Sequence, residues 1–184
     1  MADPDRSRPP VRVALLGSGG SIGRQVLDVL AGLAPAWRVV ALATGSQGAL
    51  LESQARQLRP AAVALGEETP LDLPAGTLRV RGVDALVELA TRDDVDLVVV
   101  GTGGIVSLRP ILAALRAGKV VATANKETLV AGGHLVMAEA RARAAEHAAA
   151  DPRSPLASPL GWLRPIDSEP VSYTHLTLPT KRIV

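Results

Sequence analysis

Val11-Arg12-Val13-Ala14-Leu15-Leu16 runs directly into Gly17-Ser18-Gly19-Gly20-Ser21-Ile22-Gly23, and these two stretches together decide the fold. The first is a short, mostly apolar run between Pro10 and Gly17, the signature of a strand buried on both faces. Beyond the glycines, Ile22, Val26, Leu27, Val29, Leu30 and Leu33 recur at helical spacing, with Arg24, Gln25 and Asp28 on the other face. A buried strand, a glycine turn and an amphipathic helix form the opening unit of a doubly wound α/β domain.

The alternation continues outward. Strands are expected at Val39–Ala43, Ala62–Leu65, Leu78–Arg81, Leu97–Val100 and Val120–Ala124. Helices are expected at Ala49–Leu58, stopped by Pro60, at Val83–Ala90, at Leu108–Ala117 with Pro110 in its first turn and Gly118 closing it, and at Leu135–Ala150. Gly66–Gly76 reads as a looser connection. Buried strands alternating with helices imply an α/β fold: a doubly wound, mostly parallel, Rossmann-like sheet covered on both faces.

Residues 1–10 read as a disordered tail and 11–150 as one domain. Asp151–Gly161 (DPRSPLASPLG), with Pro152, Pro155 and Pro159, reads as a linker or exposed loop. Leu163–Ile166 would be one more strand, which Pro165 assigns to an edge or a strand end. From Pro170 to Val184 the alanine- and arginine-rich idiom gives way to Thr, Tyr, His and Leu. That stretch is either a short terminal strand or sequence foreign to the natural chain, and the change of idiom makes 170–184 a non-native tail in expectation.

Composition excludes several function classes. Of 184 residues, 47% are apolar and 21% charged, an ordinary globular balance. Aromatic residues make up only 2%, so the core must be aliphatic, there is no platform for stacking bases, and no nucleic-acid partner is expected. Without Cys there is no disulfide scaffold, thiolate zinc site or cysteine nucleophile. No apolar run approaches the roughly 18 residues of a membrane span, and Met1–Pro10 lacks the apolar core of a signal peptide. A cytoplasmic protein without membrane contact is expected.

The glycine turn carries the first chemical signal. Glycines permit positive φ and close backbone approach, and N–H groups at a helix start, backed by the helix dipole, suit a diphosphate. The spacing is G-x-G-x-x-x-G, one residue off the G-x-G-x-x-G of dinucleotide enzymes. The alternative is a tight turn that any doubly wound fold needs. After the second strand, Ala43-Thr44-Gly45-Ser46-Gln47 carries no acid to bind a ribose 2′-hydroxyl, so a 2′-phosphate would meet no repulsion and Ser46 and Gln47 could donate to it. This favours NADP over NAD, with a ligand-free polar loop as the alternative. His134, His147 and His175 lack metal-ligand spacing, and no G-x-S-x-G elbow is present. Lys126 follows an apolar strand and so stands at the carboxyl edge of the sheet, where such folds bind ligands.

Three blocks carry a more specific signal: Gly17–Gly23 with Leu27-Asp28-Val29, then Ala124-Asn125-Lys126-Glu127-Thr128-Leu129-Val130-Ala131-Gly132-Gly133, then Ile166-Asp167-Ser168-Glu169. In this order they resemble the 1-deoxy-D-xylulose 5-phosphate reductoisomerase family over roughly Arg12–Glu169. The resemblance implies an oxidoreductase of isoprenoid biosynthesis that uses NADPH and a divalent metal, Mg²⁺ or Mn²⁺, to make 2-C-methyl-D-erythritol 4-phosphate from a sugar phosphate. It makes 11–150 the NADPH-binding domain and 162–169 the start of a catalytic domain. It assigns Gly19, Gly20, Ser21 and Ile22 to the cofactor diphosphate and Gly45, Ser46 and Gln47 to the ribose phosphate. Asn125 and Glu127 would line the nicotinamide side, Lys126 and Ser168 would contact substrate, and Asp167 and Glu169 would hold the metal. Lys126, Ser168 and Glu169 are thus the catalytic candidates.

An i, i+2 pair on an extended segment puts Asp167 and Glu169 on one face, as a hard metal would require; the alternative is a solvated loop or a helix cap. The family commonly has Thr at position 19, often a basic residue near 46, and His where this chain has Pro170. The family also continues into a catalytic domain, so the chain is expected to be an inactive fragment of a homodimeric parent. Two other readings remain: a nucleotide-binding module without catalysis, and another two-domain NAD(P) oxidoreductase sharing only the fold.

Overall fold

The computed structural model describes residues 9–165. The expected catalytic and metal residues Ser168, Asp167 and Glu169, the 170–184 segment and residues 1–8 lie outside that range. Among the described residues seven strands form one sheet: β1 Val11–Leu16, β2 Trp37–Thr44, β3 Ala62–Leu65, β4 Leu78–Val80, β5 Leu97–Val100, β6 Val120–Thr123 and β7 Leu163–Pro165. Their spatial order is β4-β3-β2-β1-β5-β6-β7, and every pairing is parallel rather than mostly so. The intervening helices are α1 Ser21–Gly32, α2 Gly48–Leu58, α3 Ala85–Thr91, α4 Leu108–Arg116, α5 Lys126–Ala150 and α6 Pro159–Trp162. The direction of winding reverses between β1 and β5, the switch point at which doubly wound folds open a crevice.

The alternation within β1 explains the two-sided core. Val13 and Leu15 join one cluster with Leu30 of α1 and Leu51 and Ala55 of α2. Ala14 and Leu16 join the opposite cluster with Leu89 of α3, Ile111 and Leu115 of α4, and Val136, Ala140 and Ala144 of α5. In β2 the register slips opposite Val13 and Ala14, so that Val40 and Ala41 both face the second cluster before the alternation resumes at Leu42. Leu15 is fully buried, and truncation to Ala there would cost about 3–5 kcal/mol.

Two stretches differ from expectation. Helix α5 begins at Lys126 and not at Leu135, because Asn125 caps it by accepting from the Thr128 N–H at 2.8 Å. Gly132 lies inside it for a packing reason: a Cβ there would come within 2.5 Å of Leu108 Cδ1. The second difference is in 151–161, which stays mostly exposed or half-buried but is structured and not a free linker. Ser154 caps a 3-10 turn at Pro155–Ala157, and α6 follows. Trp162 is buried in the second cluster with its indole N–H donating to the Leu156 carbonyl at 2.7 Å. Strand β7 then pairs with β6 as the sheet edge, as Pro165 indicated, so residues 163–165 belong to this sheet and do not open a separate one.

Candidate functional site

All seven strands point their carboxyl ends to the same rim, and most of the expected residues that fall within the described range gather there. Gly17 ends β1 with φ +95°, and a Cβ on it would sit 2.7 Å from both the carbonyl carbon of Gly101 and the amide nitrogen of Thr102. The turn therefore passes in direct backbone contact with the end of β5. Gly17 and Ser18 both donate their N–H groups to the Ala43 carbonyl at 2.8 Å, tying the turn to β2 on its other side. Gly23 has no room for a side chain either, since its Cβ would lie 2.1 Å from the Gly17 carbonyl oxygen. The glycines at 17 and 23 thus let α1 start against the turn that feeds it.

Helix α1 has Gly20 at its cap and no side-chain hydrogen bond there, and its first hydrogen bond to the turn runs from the Arg24 N–H to the Gly20 carbonyl. Among the described residues the N–H groups of Gly19, Ser21 and Ile22 have no protein acceptor. Unspent amides at the positive end of a helix dipole form an anion cradle. Gly19 lies inside it, since a Cβ there would meet Thr44 Oγ1 at 2.6 Å and Gln47 Nε2 at 3.0 Å. Gln47 Nε2 also donates to the Gly19 carbonyl, at 3.4 Å. The turn and the 44–47 loop, which sequence reading connected only by resemblance, are therefore neighbours. Gly45, Ser46 and Gln47 are exposed there. A cavity of about 440 Å³ opens beside them, lined by Gly17, Thr44, Gly45, Gly66, Leu86, Thr102 and Val106 among others. The residues present fit a dinucleotide phosphate carrying a 2′-phosphate.

On the other side of the switch point stands a buried polar cluster. Asn125 donates from Nδ2 to the carbonyl oxygens of Thr102 and Gly104, at 2.7 and 2.6 Å, and lies 3.3 Å from Ser107 Oγ. Thr128 Oγ1 donates to the Gly104 carbonyl at 3.4 Å, and Thr102 and Ser107 join their hydroxyls. Asn125 is 2% exposed with its carboxamide committed to protein groups, so it shapes the 101–107 loop and caps α5. Sequence reading missed Thr102 and Ser107, because nothing local marks a contact made across the switch point.

Lys126 and Glu127 are exposed in the first turn of α5. Glu127 suits the positive end of the helix dipole, whereas Lys126 opposes it. Helix stability therefore does not account for a lysine at that position. His134 is exposed, while His147 reaches Ser154 Oγ at 3.1 Å and meets the Trp162 ring edge-on, far from the glycine turn in the chain and part of the α5–α6 packing. No group of three or more His, Asp or Glu is placed to hold a metal among the described residues. No described helix is long and apolar enough to cross a membrane.

Comparison with known proteins agrees with this geometry. A family model described as 1-deoxy-D-xylulose 5-phosphate reductoisomerase matches residues 13–133. The enzyme of that name from Pelotomaculum thermopropionicum is 44% identical over 132 residues, covering 68% of this chain and 34% of its own length. A DOX-P reductoisomerase solved with NADPH, fosmidomycin and magnesium superposes with a TM-score of 0.65 at 30% identity, covering 72% of this chain and 34% of that one. The Zymomonas mobilis enzyme solved with NADPH gives 0.63 at 29% identity, over 73% and 37%. The chain spans about a third of the length of the curated relatives it matches. The alternative of an oxidoreductase sharing only the fold is thereby set aside, and the chain belongs to the 1-deoxy-D-xylulose 5-phosphate reductoisomerase family.

Proposed function

We propose that this chain forms the NADPH-binding part of an enzyme that converts 1-deoxy-D-xylulose 5-phosphate to 2-C-methyl-D-erythritol 4-phosphate. The observation that carries the proposal is the joining of the unspent amides of Gly19, Ser21 and Ile22 to the acid-free 44–47 loop at the carboxyl rim. Gly19, Ser21 and Ile22 hold the cofactor diphosphate through backbone N–H groups and the α1 dipole, while Gly20, whose own N–H goes to the Gly17 carbonyl, gives it room at the helix cap. Gly45, Ser46 and Gln47 receive the ribose 2′-phosphate. Bound NADPH supplies a hydride, and the protein's part is to orient it and exclude water.

On the nicotinamide side, Asn125 acts through the loop that it braces, and Glu127 lies on the same turn of α5 as Lys126. Lys126 contacts the substrate by charge-assisted hydrogen bonds. Asp167, Ser168 and Glu169 lie beyond the matched residues 13–133, and their support is the motif's resemblance to the family together with the parallel pairing of Thr123 with Pro165, which directs β7 toward the rim where Lys126 stands. In this reading Asp167 and Glu169 bind Mg²⁺ or Mn²⁺, Ser168 contacts substrate, and Glu169 shares in the chemistry. The proposal extends to a cytoplasmic, homodimeric enzyme acting on a sugar phosphate, for which family membership is the support.

Fluorescence titration of the chain with NADPH and NADH tests the cofactor assignment. Tighter binding of NADPH is expected; equal affinities, or no binding by a folded sample, would overturn it.

A further inference from the structure

We infer that Gln54 is a positioning residue for the diphosphate turn: its side-chain amide locks the Ser18–Gly19 peptide in the orientation that keeps the Gly19 N–H unspent for an anion. The inference rests on the cofactor reading above and adds a residue outside the glycine turn and the 44–47 loop.

Gln54 lies on the buried face of α2, between Leu51 and Ala55, where an apolar residue would pack at no desolvation cost. It is nevertheless only 7% exposed. Both ends of its carboxamide are matched to a single residue. The Ser18 hydroxyl donates to Gln54 Oε1 at 2.7 Å, and Gln54 Nε2 donates to the Ser18 carbonyl at 3.1 Å. The orientation of the amide is fixed by chemistry, since the Ser18 carbonyl can only accept and must face the nitrogen. Ser18 itself is fully buried.

The consequence runs through peptide planarity. With the Ser18 carbonyl held toward α2, the Gly19 N–H of the same trans peptide points the opposite way. The neighbouring N–H groups are already spent, those of Gly17 and Ser18 on Ala43 and that of Gly20 on Gly17. A flip of the 18–19 peptide would replace a donor with a carbonyl dipole aimed at the diphosphate. Gly19 offers little intrinsic resistance to such a flip, because glycine tolerates both signs of φ. Resistance must come from outside the turn, and Gln54 supplies it across the gap between α2 and the turn.

The test uses the full 184-residue chain and two ligands: NADPH, and adenosine 2′-monophosphate, which carries the 2′-phosphate but no diphosphate. Gln54→Met, similar in volume and without hydrogen bonds, is expected to raise the Kd for NADPH about tenfold while leaving that for adenosine 2′-monophosphate within about twofold. Equal weakening of both ligands would mark a merely structural residue and overturn the inference, as would unchanged NADPH binding. Should Gln54→Met fail to fold, Ser18→Ala, which removes one of the two bonds, replaces it. A NADPH-only loss of about threefold is then expected, and no loss overturns the inference. Absence of NADPH binding by the unsubstituted chain would instead sink the cofactor reading, and the inference with it.

Discussion

Asn125 donates from Nδ2 to the Gly104 carbonyl at 2.6 Å, so the residue that caps α5 also braces the loop leaving β5. Gly104 has φ +71°, and the irregular backbone around it leaves carbonyl groups that no helix or strand satisfies. A single buried carboxamide meets that demand at Thr102 and Gly104 while starting the helix that carries Lys126 and Glu127. Loop shape and helix position are therefore coupled through one side chain.

Replacing Asn125 with Ala removes the cap, strips the half-buried Thr102 carbonyl of its donor and leaves the Gly104 carbonyl only the longer bond from Thr128 Oγ1. The expected cost is about 2–4 kcal/mol, read by urea denaturation. Asn125→Asp keeps the acceptor for Thr128 but turns a carboxylate oxygen toward those carbonyls, and it should be no more stable than the Ala variant.

Gly23 and Gly20 stand in the same turn and should answer oppositely to one added methyl. At Gly23 the methyl would sit 2.1 Å from the Gly17 carbonyl oxygen, and Gly23→Ala is expected to cost about 3 kcal/mol or more. At Gly20 the nearest atom is 3.6 Å away, and Gly20→Ala should cost no more than about 1 kcal/mol, the difference between Gly and Ala at a helix cap. Thermal melts of the two variants side by side check the contrast.

Ser46→Asp would place the carboxylate typical of NAD enzymes in the loop after β2. NADPH affinity should fall about tenfold through repulsion of the 2′-phosphate, with NADH binding unchanged or improved. Titrations with both cofactors decide it; an equal effect on both would remove the loop from the specificity argument.

At the opposite rim, Arg12 and Asp96 form a two-pronged pair, with nitrogen–oxygen distances of 3.0 and 2.7 Å. Hydrogen bonds from the Arg12 guanidinium hold the Asp96 carboxyl below the usual carboxylate range, against partial burial that pushes it up. A carboxyl whose folded pKa is depressed stabilises the fold above its unfolded value and loses that contribution as pH falls through the folded one. Asp96→Asn should therefore lower Tm at pH 7, by about 2 °C or less because both side chains are some 40% exposed, and the gap to the unsubstituted chain should close below about pH 4.

Much of this was readable in the sequence wherever the signal was local. The apolar run of β1, the glycine turn and the period of α1 each announce themselves, and Pro165 marks an edge strand correctly. The start of α5 was obscured by Gly132-Gly133, which resemble a helix breaker until the contact with Leu108 is seen, although Asn125 three residues before Thr128 was a legible cap. Ser154-Pro155 and Ser158-Pro159 are likewise two legible helix starts inside a stretch whose prolines suggested a linker. Gln54, Thr102 and Ser107 could not be found this way. Their partners are distant in the chain, and the reason for their polarity exists only once α2 lies over the turn and the 101–107 loop meets α5.

The all-parallel sheet has one further consequence, for engineering. Arg12, Asp96 and Lys119 stand where β1, β5 and β6 begin, and the phosphate cradle stands where the strands end, with a four-residue strand such as β5 holding them about 13 Å apart. Thermal tolerance can therefore be improved by redesigning charges around the strand starts, leaving the electrostatics of the cradle untouched.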